Sequence, residues 1–254
     1  MLTSIGTRNM LYVSKSYLPA VAYVAVCCGV FFGRDSLAAV VASFFIVAGL
    51  VVIIPGFQHG TSFDRCFRGG LLAGCAVLFY APAALMVIAL AIILAIFLRS
   101  WREQIVALVG FLLPTAASAY IFWGMGHNGS YVFERLATAL TAPTAAATNY
   151  TAPAFIAAAA LTVLVLMLAI GAYAATSNKM RSRPYLIVLA FVVLLVTLGA
   201  GFAFPARPLS LVNMLAVPLA IVTPLYFARY SGVVPLMIYL VWILSVVAMN
   251  LGWF

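Results

Sequence analysis

Few residues in this chain are of a type that does chemistry. The carboxylates are Asp35, Asp64, Glu103 and Glu134. General acid–base catalysis needs a carboxylate of tuned pKa within reach of a substrate proton. Asp35, the only acid in the first short connection, is the single weak catalytic candidate, and it stands without a second carboxylate. Asp64 lies beside Arg65 and Arg68, and Glu103 beside Arg102. That spacing predicts interface residues offsetting like charge. No carboxylate falls in the middle of an apolar run, where transporters and proton relays place ionisable groups, which weighs against an ion-coupled pump. His59 and His127 have no partners at metal-ligand spacing. Cys27, Cys28, Cys66 and Cys75 form no C-x-x-C and are read as small buried hydrophobes. No metal and no cofactor is expected.

Two motifs have bland readings. Gly124-Met125-Gly126-His127-Asn128-Gly129 matches G-x-G-x-x-G, but that fingerprint works only between a strand and a helix. Here it follows an apolar run, and a flexible turn is expected. Asn128-Gly129-Ser130 and Asn149-Tyr150-Thr151 are N-x-S/T sequons, meaningful only in a eukaryotic secretory membrane.

The background explains this scarcity. Of 254 residues, 67% are apolar and 7% charged. Soluble domains are about 45–50% apolar and about 25% charged, so there is too little polar side chain to cover a water-facing surface. Disorder needs the opposite composition. The fold class expected is all-α, a polytopic transmembrane bundle over 1–254. The net charge of +9 comes from basic residues scattered at the ends of apolar runs. This is the pattern of membrane sidedness, not a nucleic-acid face, and the partners expected are the lipid bilayer and other membrane-protein subunits. No cleavage site follows the first apolar run, which reads as a retained anchor.

Apolar runs cover roughly 17–33, 37–54, 69–98, 105–123, 152–175, 185–203, 211–227 and 233–250, and a span takes about 20 residues. Turn signals between them include Gly33 to Ser36 and Pro55-Gly56. The run 69–98 decides the topology. Ala81-Pro82 near its middle makes it either one kinked span or a hairpin of two short helices. With Arg8 and Lys15 cytoplasmic, the hairpin places 10 basic residues inside and 3 outside, whereas a single span places 6 inside and 7 outside. The positive-inside rule selects the hairpin, with Tyr80 and Pro82 at its turn. The first arm must then recruit residues from Phe63 onward or stop short of a full crossing. About nine membrane helices result, with the N-terminus inside, in a bacterial inner membrane. Arg99, Trp101, Arg102 and Glu103 form a cytoplasmic anchor.

Gly70 and Gly74 form a G-x-x-x-G, a device for close helix packing. Between 124 and 151, Ser130 is placed to cap a helix from Tyr131. Val132, Phe133, Leu136 and Leu140 would then share the apolar face of an interfacial helix. Prolines 114, 218, 224 and 235 predict kinks. Ser118, Thr115, Asn213 and Thr223 are expected to bond neighbouring backbone.

Tyr17-Leu18-Pro19, Phe63-Asp64, Gly70 to Gly74, Leu78-Phe79-Tyr80-Ala81-Pro82, Arg99 to Glu103 and Gly110 to Pro114 together resemble an uncharacterised family of polytopic bacterial inner-membrane proteins. The resemblance is best over about 60–115 and implies a class and compartment but no reaction. The 66–102 pattern is also similar to the middle of GT-C glycosyltransferases, which implies use of a polyprenyl-phosphate sugar at the outer face. That family places its catalytic carboxylate in a long first external loop. Here the loop is about four residues and offers only Asp35. Three functional readings follow: a non-catalytic subunit or scaffold of a cell-envelope assembly, a GT-C-like transferase, and a lipid or small-solute transporter. A reporter fused at Trp101 should read cytoplasmic and one at Asn128 external. The opposite result at Trp101 would overturn the hairpin topology.

Overall fold

The computed structural model describes residues 17–27, 34–56, 62–141, 162–164, 166–167, 183–203, 211–229 and 233–250. Every regular element among them is helical. In chain order these are α1 (Leu18–Cys27), α2 (Arg34–Gly56), α3 (Phe63–Phe79), a 3-10 turn (Ala81–Leu85), α4 (Met86–Ile96), α5 (Trp101–Gly124), α6 (Tyr131–Thr141), α7 (Arg183–Gly199) with a 3-10 extension (Ala200–Ala203), α8 (Leu211–Arg229) and α9 (Val233–Asn250). Two helices, Leu37–Pro55 within α2 and Trp101–Gly124, are long and apolar enough to cross a membrane. Ala81–Ile96, Tyr185–Gly199 and Leu211–Leu225 are apolar but shorter.

The 63–98 region doubles back. Phe79 ends α3, Tyr80 adopts an extended conformation (φ −145°, ψ 106°), and Pro82 sits in the first turn of the 3-10 segment. Proline is tolerated there because the first helical N–H groups have no intrahelical partner. The turn is thus a five-residue 3-10 segment beyond Tyr80, broader than a Tyr80–Pro82 corner. The first arm starts at Phe63, and its 17 residues reach about 25 Å. The chain returns through α4, and Ser62 ends within hydrogen-bond distance of Glu103.

Small residues fix the arms. A Cβ on Gly70 would strike the Ala107 carbonyl, one on Gly74 the Phe111 carbonyl, and one on Gly110 the Phe67 carbonyl. Gly70–Ala107 and Gly74–Phe111 advance together and Ser62 lies beside Glu103, so α3 and α5 run parallel and touch backbone to backbone. On the other flank, Gly69 faces Ile53 of α2, and Phe45 stacks on Phe79 with ring centroids 5.4 Å apart. Leu90 and Leu94 of α4 fill the inner side of the hairpin against Cys66 and Ala107.

Helix α8 is the axis of the remaining bundle. Met214, Ala216, Val217, Ala220, Ile221 and Val222 are fully buried, which is apolar burial on all sides rather than on one stripe. It lies against α1, α2 and α7. Tyr23 of α1 bonds Ser43 of α2 at 2.8 Å, and the Tyr239 hydroxyl of α9 donates to the Leu18 carbonyl at 3.3 Å.

Several sequence expectations are corrected. Arg34 to Ser36 is not a free turn, because α2 begins at Arg34, and Gly33 lies outside the described residues. Asp35 is therefore the second residue of that helix, and its side chain lies outside the described residues, as do His59, Cys28 and the Asn149 sequon. In α6, Val132 is buried but Phe133 is 56% exposed. Phe133 stands about 20° round the helix from Leu140, so it is the exposed edge of the apolar face on which Val132 is buried and Leu136 and Leu140 are half-buried.

Replacing Gly74 by Ala should lower stability by about 2 kcal/mol through overpacking against backbone. Gly124→Ala, where a Cβ meets nothing within 4 Å, should stay within about 0.5 kcal/mol of the parent. Detergent-denaturation curves followed by circular dichroism check both.

Candidate functional site

The most elaborate polar site among the described residues lies where α3 and α5 begin. Its centre is Glu103, at 2% exposure. One carboxylate oxygen, Oε1, accepts from the Ser62 backbone N–H at 2.7 Å and from the Ser62 hydroxyl at 3.3 Å. The other, Oε2, accepts from the Ser100 N–H at 3.2 Å and the Ser100 hydroxyl at 3.3 Å. The Glu103 N–H donates back to Ser100 Oγ at 3.4 Å, completing a capping box. Arg99 Nη1 stands 3.5 Å from Oε1. The Ser62 hydroxyl also lies 3.7 Å from Cys66 Sγ.

Local structure explains the arrangement. Ser62 and Ser100 precede the first residues of α3 and α5, where backbone N–H groups are unsatisfied. A capping-box Glu reaches back to its own N-cap N–H, and here the same side chain extends across to a second helix. One negative charge thus faces the positive ends of two parallel helix dipoles. Arg99 is delivered by the preceding turn. The Arg99 N–H bonds the Leu94 carbonyl and the Leu98 N–H bonds that of Ala95. Leu98 takes φ 53°. This is a Schellman ending with leucine in the left-handed position usually given to glycine.

The sequence pairing of Glu103 with Arg102 is corrected by this geometry. Glu103 is internal and tied to Arg99, Ser62 and Ser100, because the (i, i+4) spacing and the cap direct it inward. Arg102 is exposed, with its guanidinium carbon 5.9 Å from the Trp101 ring centroid. Asp64 pairs with Arg68, one of the two arginines the sequence set beside it, Nε to Oδ1 2.9 Å, on the exposed side of α3. Ser62 and Ser100 were not singled out by the sequence reasoning. For Ser100 the signal is S-x-x-E at 100–103, the capping-box signature. The reach of Glu103 to Ser62 had no local signal, since 41 residues separate them.

Other polar groups are locally committed. Thr115 donates to the Leu112 carbonyl at 2.7 Å, Ser118 to that of Thr115 at 2.8 Å, and Thr223 to that of Leu219. Asn213 departs from this expectation: it is fully buried in α8, and neither Oδ1 nor Nδ2 has a hydrogen-bond partner among the described residues. At the far end of α5, Gly126 adopts φ 90°, a turn conformation open to glycine. His127 stacks on Tyr131 with centroids 4.6 Å apart, so the G-x-G-x-x-G stretch is an aromatic-sealed turn into α6. Ser130 Oγ bonds the Glu134 carboxylate at 2.6 Å. No group of three or more His, Cys, Asp or Glu among the described residues is placed to hold a metal.

The site can therefore join helix ends. It holds a carboxylate whose contacts are all donors, leaving little acceptor capacity for a substrate. No protein-family model matches the chain, and neither a curated protein nor a solved structure is detectably similar to it.

Breaking one side of a buried ion pair costs about 3–5 kcal/mol, so Glu103→Ala should destabilise by about 3 kcal/mol. In a double-mutant cycle with Arg99→Met, the coupling should reach at least about 1 kcal/mol. Additive losses in the denaturation midpoint would separate the two residues.

Proposed function

We propose that this protein is a membrane-embedded, non-catalytic subunit or scaffold of a cell-envelope assembly, built from about nine membrane helices with its N-terminus in the cytoplasm of a bacterium. The observation that carries the reading is Glu103. The most deeply buried carboxylate among the described residues is spent on tying two helix starts together, a task of architecture. Asp64 and Glu134 are likewise engaged by neighbours on their own helices.

The outer surface supports the membrane part of the reading. Along α5, residues 103, 107, 110, 111 and 114 face inward. The rest of the helix still presents Ile105, Val109, Leu112, Leu113, Tyr120 and Ile121 outward. In α9, Leu236, Met237, Leu240, Val241 and Leu244 are exposed as well. A helix apolar all round belongs in hydrocarbon or against other protein. Close-packed helices with minimal polar commitment suit a component that offers surfaces rather than a reaction.

Native-level expression, extraction in mild detergent and mass spectrometry of what co-elutes test this. Stable co-purification with larger envelope proteins is expected. A monomer with no retained partner contradicts the subunit assignment.

A further inference from the structure

A cleft of about 260 Å³ opens between α4 and α5, with the buried Leu90 and Ala107 at its floor. Val87, Ala91, Leu94 and Leu108 form its apolar walls, with Gln104 and Trp101 toward one end. The two helices run in opposite directions, so Val87 and Leu108 mark the deep end and Leu94 and Trp101 the outer end. Seven residues along either wall span about 10 Å. Trp101 is 67% exposed and carries Arg102 on its ring face.

The charge at this outer end is uneven. Four cations, Arg65, Arg68, Arg99 and Arg102, meet two acids, Asp64 and Glu103. Arg68 is matched to Asp64 and Arg99 to Glu103. Arg65 and Arg102 are both exposed and have no ion pair among the described residues. The cleft thus grades from aliphatic, through an amide and an indole, to an unneutralised guanidinium. This is the polarity order of a lipid from chain to ester to phosphate.

We propose that the α4–α5 cleft is a binding site for one anionic phospholipid of the bilayer. An acyl chain lies along Val87, Ala91 and Leu108, the ester region meets Gln104 and Trp101, and the headgroup phosphate meets Arg102. A guanidinium binds phosphate oxygens through paired N–H donors. Indole at this level matches the interfacial position of tryptophan. The site rests on the membrane-embedded reading above and adds lipid class to it.

The full chain, reconstituted in mixed phosphatidylcholine–phosphatidylglycerol vesicles, tests this. In one preparation only the phosphatidylglycerol carries brominated acyl chains, and in the other only the phosphatidylcholine. Bromine quenches nearby indole, and the Trp101→Phe variant isolates the Trp101 signal from that of the other tryptophans. Phosphatidylglycerol should be preferred over phosphatidylcholine at Trp101 by an exchange constant of about five, the effect of one basic residue near an anionic surface. Arg102→Gln should bring that constant to about one, and Arg102→Lys should restore part of the preference. Ala91→Phe, which fills the cleft from the opposite helix, should reduce Trp101 quenching while sparing the exposed Trp123. Equal quenching by both lipids, or a preference that survives Arg102→Gln, overturns the site. Absence of quenching at every tryptophan by either lipid would instead overturn the membrane reading on which it rests.

Discussion

The rest of this structure depends on how closely α3 and α5 approach. Gly70, Gly74 and Gly110 remove the side chains that would hold the two backbones apart. Such approach is the main source of helix association where lipid is as apolar as the side chains. Once the two helices lie parallel in contact, the chain between them must return, and α4 has little choice of path. The hairpin is therefore enforced from outside, by its flanks, as much as by Ala81-Pro82 at its tip.

Parallel contact creates a problem that Glu103 resolves. Two helix starts placed side by side bring two sets of unsatisfied N–H groups and two positive dipole ends together. Burial of these would be costly without an acceptor. A single carboxylate bonded to both N-cap residues, with Arg99 beside it, satisfies donors on each helix and neutralises the local charge. The same turn that delivers Arg99 leaves Trp101 and Arg102 pointing outward at the mouth of the α4–α5 cleft. One short segment, Leu98 to Glu103, thus sets both the internal clamp and the external surface.

Much of the architecture was legible in the residues. Apolar runs marked the helices, glycine spacing marked a close helix contact without naming its partner, and charge asymmetry argued for a return at Tyr80 and Pro82. The failures have physical causes. Glu103 was assigned to the wrong arginine because adjacency in sequence says nothing about which side of a helix start faces inward. Its bond to Ser62 depends on tertiary return and has no local trace. Leu98 in a left-handed conformation is invisible to a rule that looks for glycine. Asp35, expected in a connection, lies in the first turn of α2, a position where a carboxylate suits the helix dipole. Asn213 is expected to bond backbone, yet its buried amide has no partner among the described residues, and nothing in its sequence neighbourhood distinguishes it from Thr223.

The return of the chain is tested most directly by a distance. Spin labels at Arg65 and Arg102, both exposed, on a background with the four cysteines replaced, report it by pulsed electron resonance in detergent or vesicles. Adjacent parallel helices with axes about 8–10 Å apart predict a separation, labels included, under about 25 Å. An unbroken helical rod across the 37 intervening steps would give about 55 Å, and that result would contradict the account.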